Sequence, residues 1–169
     1  MATTSESAEQ YEARLAGYVA GADVLQLQSE APRKLARLID GASEERLRRR
    51  TAAGKWSVVE ILAHLAEDEL TSSWRYRQMI EHPGGTLSGF DQEKWAQLGD
   101  YASWTARDAL EMFRLLREAN LRVLRRISAE EWGCTGEHVE RGRLSVRSLA
   151  EHMAAHDINH IKQIETLLG

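Results

Sequence analysis

Cysteine is almost missing from this sequence, and so are the segments that mark secretion or membrane insertion. The single cysteine, Cys134, has no partner for an internal disulfide, which fits a reducing compartment and predicts a cytoplasmic location. No stretch approaches the roughly 20 apolar residues that a membrane-spanning helix needs, and the N-terminus lacks the charged-then-apolar pattern of a secretory signal. We therefore expect no membrane partner.

A concentrated positive charge is missing as well. The net charge is −4, and acidic and basic residues are interspersed along most of the chain. The densest basic run, RLRRRT from Arg46 to Thr51, directly follows the acids Glu44 and Glu45, and a run this short is typical of a solvated helix end. Because the chain as a whole is acidic, we expect no nucleic-acid partner.

Proline and strand patterns are scarce, which leaves helices as the main structural signal. Only two prolines interrupt the sequence, and apolar residues recur at helical spacing through most of it. Pro32 predicts a helix start or a kink near Ala31. Pairs that start helices by reciprocal capping occur at three places: Ser7 with Gln10, Ser57 with Glu60, and Ser128 with Glu131.

These helical segments predict a bundle. The 169 residues, 43% of them hydrophobic, suffice for one domain with a core, which we place at residues 1–169. Four substantial helices, with a long connection between the second and the third, predict an all-α fold, a four-helix bundle. That connection, residues 82–104, is long enough to be functional or to cross the bundle. The segment TGEHVERGRLSV, residues 135–146, predicts a small hairpin or an irregular loop.

Three of the six histidines stand four residues apart near the C-terminus, in EHMAAHDINHIKQIE. On a helix each step of four turns the side chain by about 40°, so His152 and His160 diverge by about 80° and the three cannot face one ion equally. From an apolar stripe centred on Val146 and Ile164, the offsets are about 40° for His160, about 80° for His156 and about 120° for His152. We therefore predict that His156 and His160 point inward and that His152 meets solvent.

Two inward histidines one turn apart suggest a metal site. Such a pair grips a transition metal from one helix, and Asp157 adds a carboxylate near the centre of the same stripe. The competing interpretation is a pair of hydrogen-bonded core histidines that bind nothing. A bound ion needs a third ligand, and the residues alone leave three candidates: His64 in the second helix, His82 at its end and His138 in a polar loop.

Two motifs in these regions resemble a known family. Residues 56–64 read W-S-x-x-E-x-x-x-H and residues 156–160 read H-D-x-x-H. Together they resemble the DinB/YfiT-like superfamily of metal-dependent enzymes, over most of the chain. The resemblance implies a four-helix bundle of that type in which His64, His156 and His160 hold a divalent ion. Zinc or nickel is favoured, and iron or manganese is compatible, because imidazole ligands discriminate weakly among these metals.

Other polar residues are candidates for the surroundings of such an ion. Four are placed to orient the imidazoles, with ordinary salt bridges as the competing interpretation: Glu67, Asp68, Asp157 and Gln163. Asn120 lies in the apolar stripe of the third helix, which favours a position facing the same cavity. Asn159 stands where many members carry another histidine, and its helical position predicts that the ion is retained. Cys134 lacks an identifiable base and is a poor nucleophile.

The resemblance also implies an activity. Characterised relatives include thiol transferases and an isomerase that use bacillithiol, mycothiol or glutathione. We expect a metal-dependent transferase or hydrolase-like enzyme that activates a low-molecular-weight thiol or water for a small-molecule substrate. The alternatives are a non-catalytic, metal-stabilised binding or stress-response module, and a helical protein whose histidines bind nothing. Exposed tryptophans at 74, 95 and 104 favour a homodimer, with closure of the core or of the pocket as the alternative.

Overall fold

Helices account for most of the architecture in the computed structural model, which describes residues 7–169. The helices are α1 (Ala8–Val19), α2 (Val24–Ile39), α3 (Glu44–Arg48), α4 (Val58–Glu81), α5 (Gln92–Leu98), α6 (Ala106–Leu124) and α7 (Val146–Leu168). There are also two 3-10 turns, Tyr101–Ser103 and Glu131–Gly133, and three short strands, β1 (Thr86–Leu87), β2 (Thr135–His138) and β3 (Gly142–Ser145). None of the described helices combines the length and the apolarity that crossing a bilayer requires.

The four long helices α2, α4, α6 and α7 form the predicted bundle. Helix α4 packs against α6 and α7, and α2 packs against the same two, so α2 and α4 occupy opposite corners; α1 lies against α7. Leu62 and Leu65 of α4, Phe113 of α6 and Ile164 of α7 are buried in one core cluster. The prediction of an all-α four-helix bundle is confirmed, with α4 as its second helix, α6 as its third and α7 as its last.

Capping residues start the helices where the sequence predicts them. Ser57 Oγ accepts from the backbone N–H of Glu60, and the Glu60 carboxylate accepts from the backbone N–H of Ser57, so α4 begins directly after Ser57. The capping pairs predicted at Ser7 and at Ser128 are also present. The start of α4 matters for function because it sets the register of the histidine that follows.

Pro32 lies inside α2, so of the helix start or kink predicted near Ala31, the helix start is wrong. Asp23 caps α2 well upstream by accepting two backbone N–H groups of the first turn. Because proline has no N–H, the carbonyl of Gln28, four residues earlier, lacks its usual helical donor. Arg117 Nη1 of α6 supplies one at 3.0 Å. The gap in the hydrogen-bond ladder of α2 therefore becomes a link to α6.

A three-stranded sheet is the feature that the helical patterns do not reveal. Strands β2 and β3 form an antiparallel hairpin, one of the two structures predicted for residues 135–146, and β1 pairs in parallel with β2. Strand β1 and helix α5 both belong to the long connection, which is therefore anchored on the hairpin. A Cβ added at Gly136 would lie 2.7 Å from Leu87, so the glycine permits this close pairing.

Of the three tryptophans expected at the surface, Trp74 alone is exposed, with 67% of its area accessible. Trp95 and Trp104 are half-buried. The ring of Trp95 packs on Phe90 with centroids 4.7 Å apart, and Trp104 Nε1 donates to the carbonyl of Gly99. The expectation that all three are exposed is therefore wrong, because Trp95 packs within the long connection and Trp104 packs against the core of the bundle.

Candidate metal centre

The start of α4 positions His64. The capping box at Ser57 fixes the first turn, and His64 follows about two turns later on the buried face, 3% exposed. The ring of Trp56, just before the cap, lies against the imidazole with centroids 4.9 Å apart. The W-S-x-x-E-x-x-x-H motif thus has a physical basis: Ser57 and Glu60 set the helix register, and Trp56 covers the histidine.

Helix α7 brings two further imidazoles to the same point. His156 and His160 are 7% and 8% exposed and lie one turn apart on the buried face of α7. His156 Nε2 lies 3.0 Å from His160 Nε2 and 3.2 Å from His64 Nε2. The structure therefore brings together the three histidines named from the sequence, and no other such group of histidine, cysteine or acidic residues occurs within residues 7–169.

Neighbouring side chains indicate where the protons on two of these rings lie. Gln163 Oε1 is 2.9 Å from His160 Nδ1, and because a carbonyl oxygen only accepts, this contact favours the tautomer with the proton on Nδ1. Asp68 Oδ2 lies 3.5 Å from His156 Nδ1, which makes no hydrogen bond, and the charge of the carboxylate favours the same tautomer there. The Nε2 atoms of His156 and His160 then carry no proton, so two hydrogen-bond acceptors face each other.

The distance between these two acceptor nitrogens can be compared with the distance that a bound ion would require. Two acceptor nitrogens 3.0 Å apart repel each other unless a cation, either a metal ion or a proton, lies between them. A tetrahedral ion with bonds of about 2.05 Å would hold its nitrogens about 3.3 Å apart, close to the separations found here. Neutral imidazoles are ligands that zinc, nickel and iron all accept. The residues present therefore fit a divalent transition metal.

Burial disfavours a proton as the bridging cation. It lowers the pKa of His160 to about 3 and, together with repulsion from the neighbouring rings, lowers the pKa of His156 well below its ordinary value. Burial also lowers the pKa of His64, against the attraction of Asp68 and Glu93. At neutral pH the three rings are uncharged, which is the state that binds metal.

A cavity of about 320 Å³ opens beside the cluster. Its volume falls at the low end of the range for small-molecule sites, roughly 300–1,000 Å³. Its lining includes His64 and His156 together with Asp68, Arg75, Phe90, His138 and Arg141. A larger groove of about 1080 Å³ runs between α2 and α6, but it contains no histidine. Of these two spaces, the smaller cavity is therefore the one that adjoins the histidine cluster.

Sequence comparison identifies the family. The profile of the DinB superfamily matches residues 28–164, which is most of the chain. The chain belongs to the DinB superfamily. Two relatives from Oceanobacillus iheyensis, each named "Putative metal-dependent hydrolase", are 24% identical over 136 residues and 25% identical over 138 residues. The matches cover 80% and 82% of this chain, and 78% and 80% of the relatives.

A solved structure with the same DinB fold supports the architecture. YfiT from Bacillus subtilis superimposes with a TM-score of 0.80 at 19% sequence identity, over 99% of this chain and 90% of that chain. It is described as "a probable metal-dependent hydrolase with an unusual four-helix bundle topology". At this level of identity the likeness establishes the fold that the two proteins share.

The remaining histidines of this DinB protein lie outside the cluster. His152 stacks on His156 with centroids 5.9 Å apart, but it is half-buried rather than open to solvent, and its Nδ1 faces Arg141 Nη2 at 3.0 Å. His138 Nδ1 accepts two backbone N–H groups of the hairpin turn. His82 ends α4 with its side chain 70% exposed. The structure therefore brings neither His82 nor His138 to the other two imidazoles.

Of the four residues expected to orient the imidazoles, Asp68 and Gln163 contact them and the other two do not. Asp157 pairs with Arg117 instead, although it is adjacent to His156 in sequence. Glu67 accepts from the hydroxyl of Tyr101. Asn159 Oδ1 accepts from Arg14 Nη1 at 2.7 Å, so its side chain is engaged with α1. For Asp157 and Glu67 the contacts in the DinB bundle therefore agree with the competing interpretation, an ordinary polar contact.

Arg117 is the residue that sequence reasoning missed. Its side chain is 1% exposed, and Nη2 donates to Glu69 Oε1 at 2.8 Å and to Asp157 Oδ1 at 3.0 Å. Asn120, expected to face the cavity, donates to Glu69 Oε2 at 2.9 Å and so belongs to this network. Burial raises the pKa of Asp157 to about 6, against the attraction of Arg117. The sequence did contain a signal for a buried cation. Asp157 lies in the middle of an apolar stripe, and a carboxylate buried there needs a cationic partner.

Proposed function

We propose that this protein is a metal-dependent enzyme in which His64, His156 and His160 hold a divalent ion beside a small-molecule cavity. One observation carries the proposal: the Nε2 atoms of His156 and His160 lie 3.0 Å apart while the Nδ1 atom of each faces an acceptor. Such an arrangement is costly in a protein that holds nothing between the rings. It therefore argues against a helical protein whose histidines bind nothing.

Zinc or nickel is the ion that we expect at this site. A divalent ion held by three imidazoles acts as a Lewis acid and lowers the pKa of a thiol or water that reaches it. The chain's own contribution is orientation: Gln163 fixes the ring of His160, and Asp68 faces that of His156. The same three histidines could also hold iron or manganese.

Aromatic rings and the long connection surround the candidate site on different sides. Trp56 covers His64 from one side, and Tyr101 packs edge-on against Trp56 with centroids 6.2 Å apart. The long connection supplies Phe90 and Gln92 to the lining, so it forms one wall of the cavity. This position supports a functional role for the connection, one of the two roles predicted for it.

The nucleophile we propose is a low-molecular-weight thiol or water. The names of the relatives favour water and hydrolysis. The resemblance carried by the two histidine motifs implies thiol transfer instead. Cys134 is not among the residues that line the cavity, so the chain does not offer a thiol of its own at this site. Both nucleophiles would be supplied from solution and would compete for the same position.

Metal content tests the ligand set. We expect one divalent ion per chain in the purified wild-type protein and its loss in His64→Ala, measured by elemental analysis. His82→Ala is the matched control, because His82 lies at the exposed end of the same helix. Equal metal content in His64→Ala and in the wild type would overturn the three-histidine site.

Activity tests the chemistry. We expect the metal-loaded protein either to conjugate a thiol to members of an electrophile panel or to hydrolyse members of an ester and amide panel. His156→Ala should lose that activity. If the protein holds its ion and shows neither reaction, and if adding metal raises the melting temperature, the non-catalytic metal-stabilised module is the correct reading.

We also propose a homodimer and a cytoplasmic location. Trp74 and Leu70 of α4 are 67% and 46% exposed, which gives this helix an apolar surface suited to a second copy. The single cysteine suits a reducing compartment. Light scattering on the wild type and on Trp74→Glu is the test of the dimer: a wild-type monomer, or a Trp74→Glu dimer of the same strength, would contradict it.

A further inference from the structure

Arg75 is a buried cation without a carboxylate partner beside the candidate metal centre. Its side chain comes from α4 and is 8% exposed. Nη2 donates to the carbonyl of Ser88 at 2.8 Å, and the guanidinium lies over the ring of Phe90, 5.7 Å from its centre. Within residues 7–169 it forms no ion pair, in contrast to Arg117, the other buried arginine of the bundle.

The position of Arg75 on α4 directs it toward the cluster. Eleven residues separate it from His64, which is about 20° beyond three full turns, so both lie on one face of the helix. Helical side chains lean toward the N-terminus, and Arg75 therefore leans back along α4 toward Asp68 and His64. All three line the same cavity. A molecule that fills this cavity lies between the imidazoles and the guanidinium.

The other arginine of the cavity has a partner of its own. Arg141 Nη2 lies 3.5 Å from Glu12 Oε1, and Asp68 Oδ2 faces His156. Glu140 also lines the cavity, but it makes no ion pair with Arg75. Of the two arginines that line the cavity, Arg75 is therefore the one that forms no ion pair within the described residues.

An uncompensated buried guanidinium is an anion site. A guanidinium carries five N–H donors in a planar fork, and the carbonyl of Ser88 occupies one of its nitrogens. Burial lowers the pKa of Arg75, and the charge of Asp68 only partly offsets this effect. Arginine nevertheless stays charged in proteins, so the cost of desolvating the guanidinium persists until an anion pairs with it.

We propose that Arg75 binds the carboxylate of the molecule that enters this cavity, so that the substrate or thiol cofactor of this protein is a small organic acid. Carboxylates match the fork of a guanidinium through two parallel hydrogen bonds. The proposal rests on the proposed function, because the other end of the acid is placed at the three histidines. Arg75 then sets both the charge of the molecule and the direction in which it lies.

A pair of probes of the same shape and different charge tests this proposal. Zinc-loaded protein is titrated calorimetrically with 3-mercaptopropionate and with its uncharged methyl ester. We expect the acid to bind about tenfold more tightly than the ester, or better, because the ester cannot make the charge-assisted pair. Arg75→Met should remove this preference and leave the affinity for the ester unchanged. Arg77→Met, which removes an exposed arginine of the same helix, should keep the preference.

The fold of the variants is checked independently by circular dichroism and by zinc content. If Arg75→Met does not fold, Arg75→Lys serves in its place, since it keeps the positive charge and loses the fork. We then expect at least threefold weaker binding of the acid and unchanged binding of the ester. An unchanged affinity for the acid in Arg75→Lys would overturn the proposal.

The outcomes separate this proposal from the proposed function. Equal affinities of acid and ester for the zinc-loaded wild type would overturn the role of Arg75 and leave the metal-dependent site intact. If neither thiol binds although the zinc is held, the thiol branch of the proposed function fails. Succinate titrated into the same protein then decides the role of Arg75 alone: binding that Arg75→Met removes supports it, and no binding overturns it.

Discussion

Asp157 Oδ1 accepts a hydrogen bond from Arg117 Nη2 at 3.0 Å, so a carboxylate that lies between His156 and His160 in sequence is tied to a different helix. The same guanidinium reaches Glu69 of α4 and the carbonyl of Gln28 in α2. Arg117 itself belongs to α6, and Asp157 to α7. One buried side chain therefore holds all four long helices, including the two that carry the histidines.

Removal of Arg117 should cost much of the stability of the bundle. Arg117→Met leaves Asp157 and Glu69 buried without their cation, and a broken buried pair of this kind costs about 3–5 kcal/mol. Urea unfolding of the variant and of the wild type measures the loss. Arg122→Met is the matched control on the same helix, because Arg122 forms an exposed pair with Glu118 that is worth at most about 1 kcal/mol. Similar losses in the two variants would contradict this role of Arg117.

The side chains that orient the imidazoles should tune metal affinity. We expect Asp68→Asn and Gln163→Leu each to weaken metal binding about 10- to 100-fold, since these residues hold the rings of His156 and His160. Competition with a chromophoric chelator measures the affinity. Glu67→Gln should bind metal as tightly as the wild type, because Glu67 contacts Tyr101 rather than a histidine. An affinity that falls equally in Glu67→Gln would show that the effect is not specific.

His138 should make the stability of the hairpin sensitive to acid. Burial lowers its pKa, with repulsion from Arg75 and Arg141 acting in the same direction and Glu140 opposing it. Only the neutral ring can accept at Nδ1, where two backbone N–H groups lie at 3.2 and 3.3 Å. As the pH falls, the unfolded chain takes up this proton first. The contribution of His138 to stability is therefore complete above about pH 6.5 and is lost below it.

The variant His138→Asn isolates this effect. Its Oδ1 atom can accept the same two N–H groups, but asparagine does not titrate. We expect the free energy of unfolding to fall less between about pH 7.5 and about pH 5.5 in His138→Asn than in the wild type, measured in urea on both proteins. An equal fall in the two proteins would assign the acid sensitivity to other groups.

Close packing at Gly136 should make the parallel strand pair intolerant of any side chain. A Cβ at this position would lie 2.7 Å from Leu87 Cγ and 3.1 Å from the carbonyl oxygen of Gly85, so Gly136→Ala must displace β1. We expect a loss of about 1–3 kcal/mol in urea unfolding. Gly133→Ala is the control, since nothing lies within 4 Å of the added methyl group. A neutral Gly136→Ala would mean that the connection is not anchored on the hairpin.

The sequence predicted the features that depend on local periodicity. The register of α4 follows from Ser57 and Glu60, and the inward pair on α7 follows from the angle that each residue adds along a helix. These signals act over one or two turns. They were therefore enough to place the bundle helices, and the family resemblance added His64 as the third member of the cluster.

The features that the sequence did not predict all depend on distant partners. Pro32 stays within α2 because Arg117, far along the chain, supplies a donor to the carbonyl that the proline leaves free. Strand β1 has two residues and exists through its pairing with β2. Arg75 lies on the same face of α4 as His64, but its lack of an acidic partner is visible only once the cavity has formed.

The histidines of the cluster come from very different distances along the chain. One turn of helix suffices to pair His156 with His160, whereas His64 lies 92 residues before His156. Closing a loop of that length costs conformational entropy, which the packing of the other bundle helices must offset before His64 can join the pair. If the three histidines hold a metal ion, as we propose, we expect a refolding chain to bind it in two stages, first as a weak local chelate on α7 and then in the complete site. The rate at which added metal becomes tightly held will report the docking of α4 onto α7.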